Sequence, residues 1–346
     1  MKKDFKTEFS SNKLFLHPDR LEGLLNNDLT QPPISIEVSL TSECNINCKW
    51  CSDRDWREYS AGTIETEGLL RSLVDFKEMG ALGVTIEGGG EPTLHPDFRN
   101  IVFQIKNLGL AVGLITNGVS FKDFDLVKHF EWIRVSLDAS TPEEYLKSKG
   151  ASKFTQVLDN IEHMCKVKEG CTIGVGYLIS ALSNTDVPGI AIRLKKMGVN
   201  YLQIRRLDDS SEIDVPLNYD VSDIVSLETD SFRVFAHQIY EEDSDEGNYG
   251  LPCVAHALSS VIGHNGDVYL CCRLHSHIMP SGNVMGVIGN IYEESIPNIW
   301  NGLIRKQMAK NMLDGAMCKR WCPSCRHSKN NVLVNELKNI NTPNFI

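Results

Sequence analysis

Between residues 34 and 207 the spacing of apolar positions switches between every second residue and every third or fourth, which marks alternating strands and helices. Short β-rich runs lie at 34–41, 83–87, 111–116, 132–137, 172–180 and 201–206. Between the first two, Leu69, Leu73, Phe76 and Met79 recur at helical spacing. Before the fifth, Phe154, Val157, Leu158, Ile161, Met164 and Cys165 do the same. Strands that alternate with helices predict βαβ units and a parallel sheet. Six such units fall short of the eight that close a TIM barrel. The expected fold is α/β, an open partial (β/α)6 TIM-like barrel.

The strands carry a second message. With Ile36, Val38 and Leu40 under the helices, the other face of the first strand presents Glu37, Ser39 and Thr41. The second strand splits into Val84 and Ile86 against Thr85 and Glu87. The fourth splits into Ile133, Val135 and Leu137 against Arg134, Ser136 and Asp138. The sixth splits into Leu202 and Ile204 against Tyr201, Gln203 and Arg205. A parallel strand buried on both faces reads apolar throughout. A repeated polar face therefore predicts a lined interior cavity, in preference to strands half exposed to bulk water.

Composition changes after residue 207. Residues 208–250 are rich in Asp and Glu, with one helical pattern near 225–240, and read as a solvated connector. A small cysteine-rich domain is expected at 251–329 and a polar tail at 330–346, with an N-terminal extension over 1–33. The net charge of −10 argues against sequence-independent nucleic-acid binding, which needs clustered Lys and Arg. No apolar run approaches the ~18–20 residues of a membrane span. The opening MKKDFKTEFSSNK lacks the apolar stretch of a signal peptide. The chain is expected to be cytoplasmic.

Against that background, eleven cysteines stand out. In a cytoplasmic chain of 346 residues they point to metal chemistry in preference to disulfides. Cys44, Cys48 and Cys51 follow the first strand directly, at the end of the sheet where such folds place their chemistry. Three thiolates so spaced can wrap a [4Fe–4S] cluster and leave its fourth iron open. A structural zinc site normally wants four ligands and no vacancy. This Cys-x3-Cys-x2-Cys run, with Trp50 before the last cysteine, resembles the defining motif of the radical S-adenosylmethionine (SAM) superfamily. In that family SAM chelates the open iron and is cleaved by one electron to methionine and a 5′-deoxyadenosyl radical. The radical abstracts a hydrogen atom from substrate, so the cofactor supplies the difficult chemistry. The resemblance also implies a flavodoxin- or ferredoxin-type electron donor and a small-molecule substrate.

Further motifs follow in the family's order across residues 34–207. Gly89-Gly90-Glu91-Pro92 is similar to the GGE motif, whose backbone and acid contact the SAM amino group. Glycine suits a backbone that must approach a ligand closely. Thr116-Asn117-Gly118 follows the third strand, and Ser136 and Asp138 end the fourth, where family members contact the SAM carboxylate and ribose. Both lie on the polar face deduced above. Arg205 ends the sixth strand on that face, open to the SAM carboxylate, a substrate or solvent. The resemblance thus implies SAM contacts from Trp50, Gly89, Gly90, Glu91, Asn117, Ser136, Asp138 and Arg205.

In the last third, Cys253, Gly266 and Cys271, then Cys322 and Cys325, resemble the C-terminal extension called SPASM in its full form and twitch in its reduced form. The longer cysteine run of the full form is missing. The resemblance implies one auxiliary [4Fe–4S] cluster on Cys253, Cys271, Cys322 and Cys325, although four thiolates suit zinc as well. Gly266-Asp267 reads as a hairpin turn feeding a strand at 268–270. Gly289-Asn290-Ile291 and a helix around 296–300 resemble the module's middle section. Cys272 and Cys318 are left over as replacement ligands, spare buried thiols, or hydrogen donors like those of relatives that invert a carbon centre. Relatives that oxidise pass the electron to the auxiliary cluster, and oxidation is the preferred expectation. Cys165 and Cys171 read as core, His275 and His277 as surface residues.

Relatives with auxiliary clusters modify peptides, sugars, aminocyclitols and cofactor precursors. A leader-binding domain of ~80 residues does not fit into 1–33. The stretch from Leu14 through Pro18 to Glu22 resembles some members in sugar and natural-product pathways. The expectation is a small polyhydroxylated substrate that is dehydrogenated or epimerised, ahead of a peptide. A non-catalytic metal-binding protein is the rival of another class, and only the enzyme would make 5′-deoxyadenosine.

Overall fold

The computed structural model describes residues 10–28, 30–206, 220–236, 251–272, 274–275, 285–313 and 327–340. The six expected strands form at β1 (Ser35–Val38), β2 (Gly83–Ile86), β3 (Ala111–Thr116), β4 (Trp132–Ser136), β5 (Thr172–Ile179) and β6 (Tyr201–Arg206). Each pairs in parallel with the next. The helices between them pack as their periodicity requires. In α3 (Thr66–Glu78), Leu69, Leu73 and Phe76 are buried, and in α6 (Phe154–Val167), Phe154, Val157, Leu158, Ile161 and Met164 are. Each such side chain contributes roughly 1.5–3 kcal/mol. Cys171 joins this core and Cys165 packs against it, as expected.

Two further strands extend the parallel sheet beyond the expected six. On one side, β7 (Arg233–Phe235) pairs with β6. It lies where a helix was expected at 225–240, because α8 (Ser222–Val225) stops and Phe232 bridges back to Thr229. On the other side, β8 (Ser259–Ile262) runs parallel to β1, with Ser35 opposite Ser259 and Val38 opposite Ile262. The chain then turns at Gly266, whose φ of +84° suits glycine, into β9 (Asp267–Tyr269), antiparallel to β8 and followed by β10 (Val287–Asn290). The sheet order is β10-β9-β8-β1-β2-β3-β4-β5-β6-β7. The first strands of the expected cysteine-rich domain, β8 and β9, thus continue the barrel sheet.

The polar faces read from the sequence point into the curved sheet. Val84, Ile86, Ile133, Val135, Leu202 and Ile204 are buried, whereas Thr85, Glu87, Arg134, Ser136, Gln203 and Arg205 keep partial exposure between them. Two aromatic rings at the starts of β4 and β6 stand over glycines of the neighbouring strands. A Cβ on Gly113 would lie 2.3 Å from the Trp132 ring, and one on Gly174 would lie 2.0 Å from the Tyr201 ring. Those glycines leave the room in which the rings lie flat across β3 and β5.

Candidate functional site

The cysteine loop that follows β1 is fastened from several directions. The backbone N–H groups of Asn47 and Lys49 donate to the carbonyls of Lys149 (2.9 Å) and Ser148 (2.9 Å), at the end of α5 (Pro142–Lys149). Arg54 Nη2 donates to the Cys48 carbonyl at 2.5 Å, and Arg57 Nε to the Ser42 carbonyl at 2.6 Å. Cys44, Cys48 and Cys51 are half-buried and free of disulfides. Two donors face their sulfurs, Asn117 Nδ2 at 3.7 Å from Cys44 and Arg57 Nη1 at 3.9 Å from Cys51. Burial raises the Cys44 thiol and pushes Cys48 up to about 11, while Lys149 pulls Cys48 the other way. Three reduced thiols on one loop, with N–H donors and a buried cation beside them, fit an anionic iron–sulfur cluster.

The glycine motif is strapped to this loop. Gly90 N–H donates to the Thr41 carbonyl at 2.8 Å and Glu91 N–H to the Glu43 carbonyl at 2.7 Å. A Cβ on Gly90 would lie 1.9 Å from the Glu43 carbonyl oxygen, and Gly89 has a φ of +56°, so only glycine fits this approach. The buried Glu91 carboxylate gathers the surrounding loops. Its Oε1 accepts from Thr93 Oγ1 (2.7 Å) and Thr116 Oγ1 (2.6 Å), and its Oε2 from Asn117 N–H (2.7 Å). Burial nevertheless raises its pKa above the ordinary carboxylate value. Asn117 carries the network on, its Nδ2 donating to Asn45 Oδ1 at 2.7 Å.

Asp138, at the end of the fourth strand, is engaged within the protein. It sits at φ +51°, buried, with Oδ1 accepting from Leu178 N–H at 2.7 Å and Oδ2 paired with Lys149 Nζ. Its carboxylate holds β5 and the end of α5. Burial works against the Lys149 charge, but Asp138 and Cys48 raise its pKa above the ordinary lysine value. The sequence gives little sign of Lys149, because a lysine in a last helical turn reads as an ordinary dipole partner. Ser136 and Trp50 are half-buried. Arg205 is half-buried, and its Nε has no hydrogen-bond partner among the described residues.

The C-terminal segment reaches this site through two histidines. His264, between β8 and β9, meets Ser39 Oγ at 3.1 Å through Nδ1 and the Ser60 carbonyl at 2.6 Å through Nε2. Ser39 Oγ in turn donates to the Gly88 carbonyl at 3.2 Å. Asp53 accepts from Gly89 N–H at 3.2 Å and faces His275 Nε2 at 3.4 Å. Burial opposes the Asp53 charge, yet the hydrogen bond and charge of His275 hold its carboxyl below the ordinary value. His275, expected at the surface, is packed on the Trp56 ring with centroids 4.3 Å apart. Of the auxiliary residues, Cys253 and Cys271 are buried and Cys272 is half-buried. Cys318, Cys322, Cys325 and His277 lie outside the described residues.

Residues 38–181 match the family model of the Radical SAM superfamily, and residues 253–326 match SPASM, an iron–sulfur cluster-binding domain. The chain is 24% identical over 294 residues to the "tungsten-containing aldehyde ferredoxin oxidoreductase cofactor-modifying protein" of Pyrococcus furiosus, covering 76% of this chain and 79% of that one. It is 26% identical over 185 residues to a PqqA peptide cyclase of Methylorubrum populi, covering 51% of this chain and 47% of that one. Streptococcus suis SuiB, solved bound to its precursor peptide SuiA, has a similar fold. The TM-score is 0.61 at 16% identity, over 98% of this chain and 80% of that one.

Proposed function

This chain belongs to the radical SAM superfamily and carries a SPASM domain, so [4Fe–4S] clusters and SAM are its cofactors; we propose that it oxidises a peptide substrate. The observation that carries the substrate class is the match to a peptide cyclase over half of this chain. The small polyhydroxylated substrate expected from the sequence yields to it, since the curated relatives above are named for acting on a peptide and a cofactor.

When bound, SAM and the clusters would supply the radical hydrogen-atom chemistry and an electron acceptor. The protein's part is placement. Cys44, Cys48 and Cys51 would hold the SAM-cleaving cluster, with Asn117 and Arg57 donating to their sulfurs. Gly89 and Gly90 offer the backbone that receives SAM, and Glu91 fixes that backbone against Thr116 and Asn117. Asp138 acts as a positioning residue through Lys149. Arg205 supplies a cation on the interior polar face for a carboxylate of SAM or substrate. Cys253, Cys271, Cys322 and Cys325 would hold the auxiliary cluster. The peptide product would be two hydrogens lighter than the substrate. Cys272 or Cys318 would act as hydrogen donor only if the product were epimerised.

The test incubates the anaerobically reconstituted enzyme with SAM and dithionite, offering peptides encoded beside its gene and a panel of sugars and aminocyclitols. The expected result is 5′-deoxyadenosine together with a peptide two hydrogens lighter. Oxidation of a sugar with every peptide untouched would overturn the substrate class. Solvent deuterium on a product carbon would replace oxidation by epimerisation, and absence of 5′-deoxyadenosine would remove the enzyme reading.

A further inference from the structure

Three chemically different ligand groups converge where the barrel meets the cysteine-rich segment. Glu37 stands on the interior face of β1, opposite Thr85 of β2 on one side and Val261 of β8 on the other. Cys272 follows β9, and His327 precedes the helix Ser328–Lys338. One carboxylate oxygen, the thiol sulfur and one imidazole nitrogen of these residues all lie within 4.8 Å of one another. Each comes from an anchored element. Glu37 is held by strand pairing on both sides, and the helix behind His327 is docked by Asn331 Oδ1, which accepts from Val254 N–H at 2.9 Å and Ala255 N–H at 3.1 Å.

His327 provides a second, independent sign. Its Nε2 is shielded from solvent and has no hydrogen-bond partner among the described residues. A buried imidazole nitrogen left without a partner is unfavourable, so such atoms in folded proteins call for a missing ion or water. The donor set is informative as well. Carboxylate, thiolate and imidazole together suit a borderline divalent ion of the zinc class and suit magnesium or calcium poorly, since those take oxygen ligands. Tetrahedral bonds of roughly 2.0–2.3 Å put ligand atoms about 3.3–3.8 Å apart, so rotamer adjustments of about an ångström close the site.

We propose that Glu37, Cys272 and His327 bind one zinc-class divalent ion, separate from both iron–sulfur clusters. Among the described residues three protein ligands reach this point, the number found at zinc sites that keep a fourth position for water or a substrate heteroatom. Glu37 puts the ion on the interior polar face of the sheet, with Thr85 opposite on β2. The ion would hold and polarise a substrate heteroatom there. This site stands whatever the substrate is.

The test loads the reconstituted holoenzyme with one equivalent of Zn2+, desalts it anaerobically, and measures metal content and zinc X-ray absorption. The expected result is one zinc per chain, with one sulfur near 2.3 Å and the remaining ligands nitrogen or oxygen near 2.0 Å. Glu37→Gln, Cys272→Ser and His327→Gln should each weaken zinc binding by about tenfold or more, with iron content unchanged. The glutamine variants nearly preserve volume, and iron content reports whether they fold. Zinc retained in all three variants would overturn the proposal, as would a shell of four sulfurs, which would place the ion in an unfilled cluster site. Loss of half the iron in Cys272→Ser would also overturn it, by making Cys272 an auxiliary-cluster ligand.

Discussion

Replacing Lys149 by Met perturbs the cysteine loop without touching a cysteine. Lys149 and Asp138 are 2% and 3% exposed, so the substitution leaves a carboxylate buried without its counter-charge. Removing one partner of such a pair destabilises a protein by about 3–5 kcal/mol. An unfolding entropy of about 2.1 cal/mol/K per residue over 346 residues converts that to a fall of about 4–7 °C in Tm. A second effect follows at Cys48. Burial pushes this thiol up to about 11, and the Lys149 charge works in the opposite direction. Without that charge the thiolate is harder to form, so iron uptake by Lys149→Met at neutral pH should be slower than in the parent and should recover more at alkaline pH.

The assays are thermal unfolding of the apo-protein followed by circular dichroism, and iron incorporation at fixed times under anaerobic reconstitution. The double variant Asp138→Asn/Lys149→Met carries no orphaned charge and should regain most of the lost stability. A loss below about 1 kcal/mol in the single variant, as at an exposed pair, would refute the reasoning. So would a double variant no more stable than the single one.

Glu91→Ala removes the acceptor of the Thr116 hydroxyl and the Asn117 N–H; SAM affinity measured by equilibrium dialysis should fall about ten- to a hundredfold with both clusters still absorbing, and unchanged affinity would displace the site. Asp53→Ala and His275→Ala each cut the link between Gly89 and the C-terminal segment; both should weaken SAM binding, and fully additive losses in the double variant would deny the shared link. Cys44 and Cys48 stand above the ordinary thiol value, so cluster ligation releases protons and iron uptake should rise from pH 7 to pH 9; a flat profile would refute this. Two clusters imply about eight irons per chain, and replacing Cys44, Cys48 and Cys51 together should leave about half; about four in the intact protein would eliminate the auxiliary cluster.

What could be read from the sequence was what leaves a local trace. The faces of β1, β2, β4 and β6 were legible because burial of Ile36, Val84, Ile133 and Leu202 imposes a two-residue period. The cysteine and glycine motifs were legible because close backbone approach at Gly90 admits no side chain. Partners distant in the chain leave no such trace. Nothing near Ser259 announces that it lies beside Ser35, more than two hundred residues away, so the pairing of the cysteine-rich domain with β1 left no trace. Asp138 was visible as an acid on the polar face, but its pairing with Lys149 depends on where α5 ends. His275 follows two cysteines in an otherwise polar stretch, and its stacking on Trp56 is a tertiary fact. The three-residue strand β7 is too short to establish a period among acidic neighbours.

The pairing of β8 with β1 changes how variants of the auxiliary ligands should be interpreted. Ser39, one residue beyond β1, touches both His264 from the C-terminal segment and the Gly88 carbonyl of the glycine motif. Gly89 is reached from the same segment through Asp53 and His275. Cys271 lies only four residues before His275, so a change that unseats Cys271 acts on the SAM loop as well as on electron transfer. Loss of product in Cys271→Ala would therefore not by itself assign an electron-accepting role to the second cluster. The two causes separate in the uncoupled reaction. If only electron transfer fails, the variant binds SAM as the parent does and still makes 5′-deoxyadenosine while substrate goes unoxidised. If the SAM loop has loosened, affinity and 5′-deoxyadenosine fall together, and His275→Ala, which leaves every proposed cluster ligand in place, should reproduce the same loss.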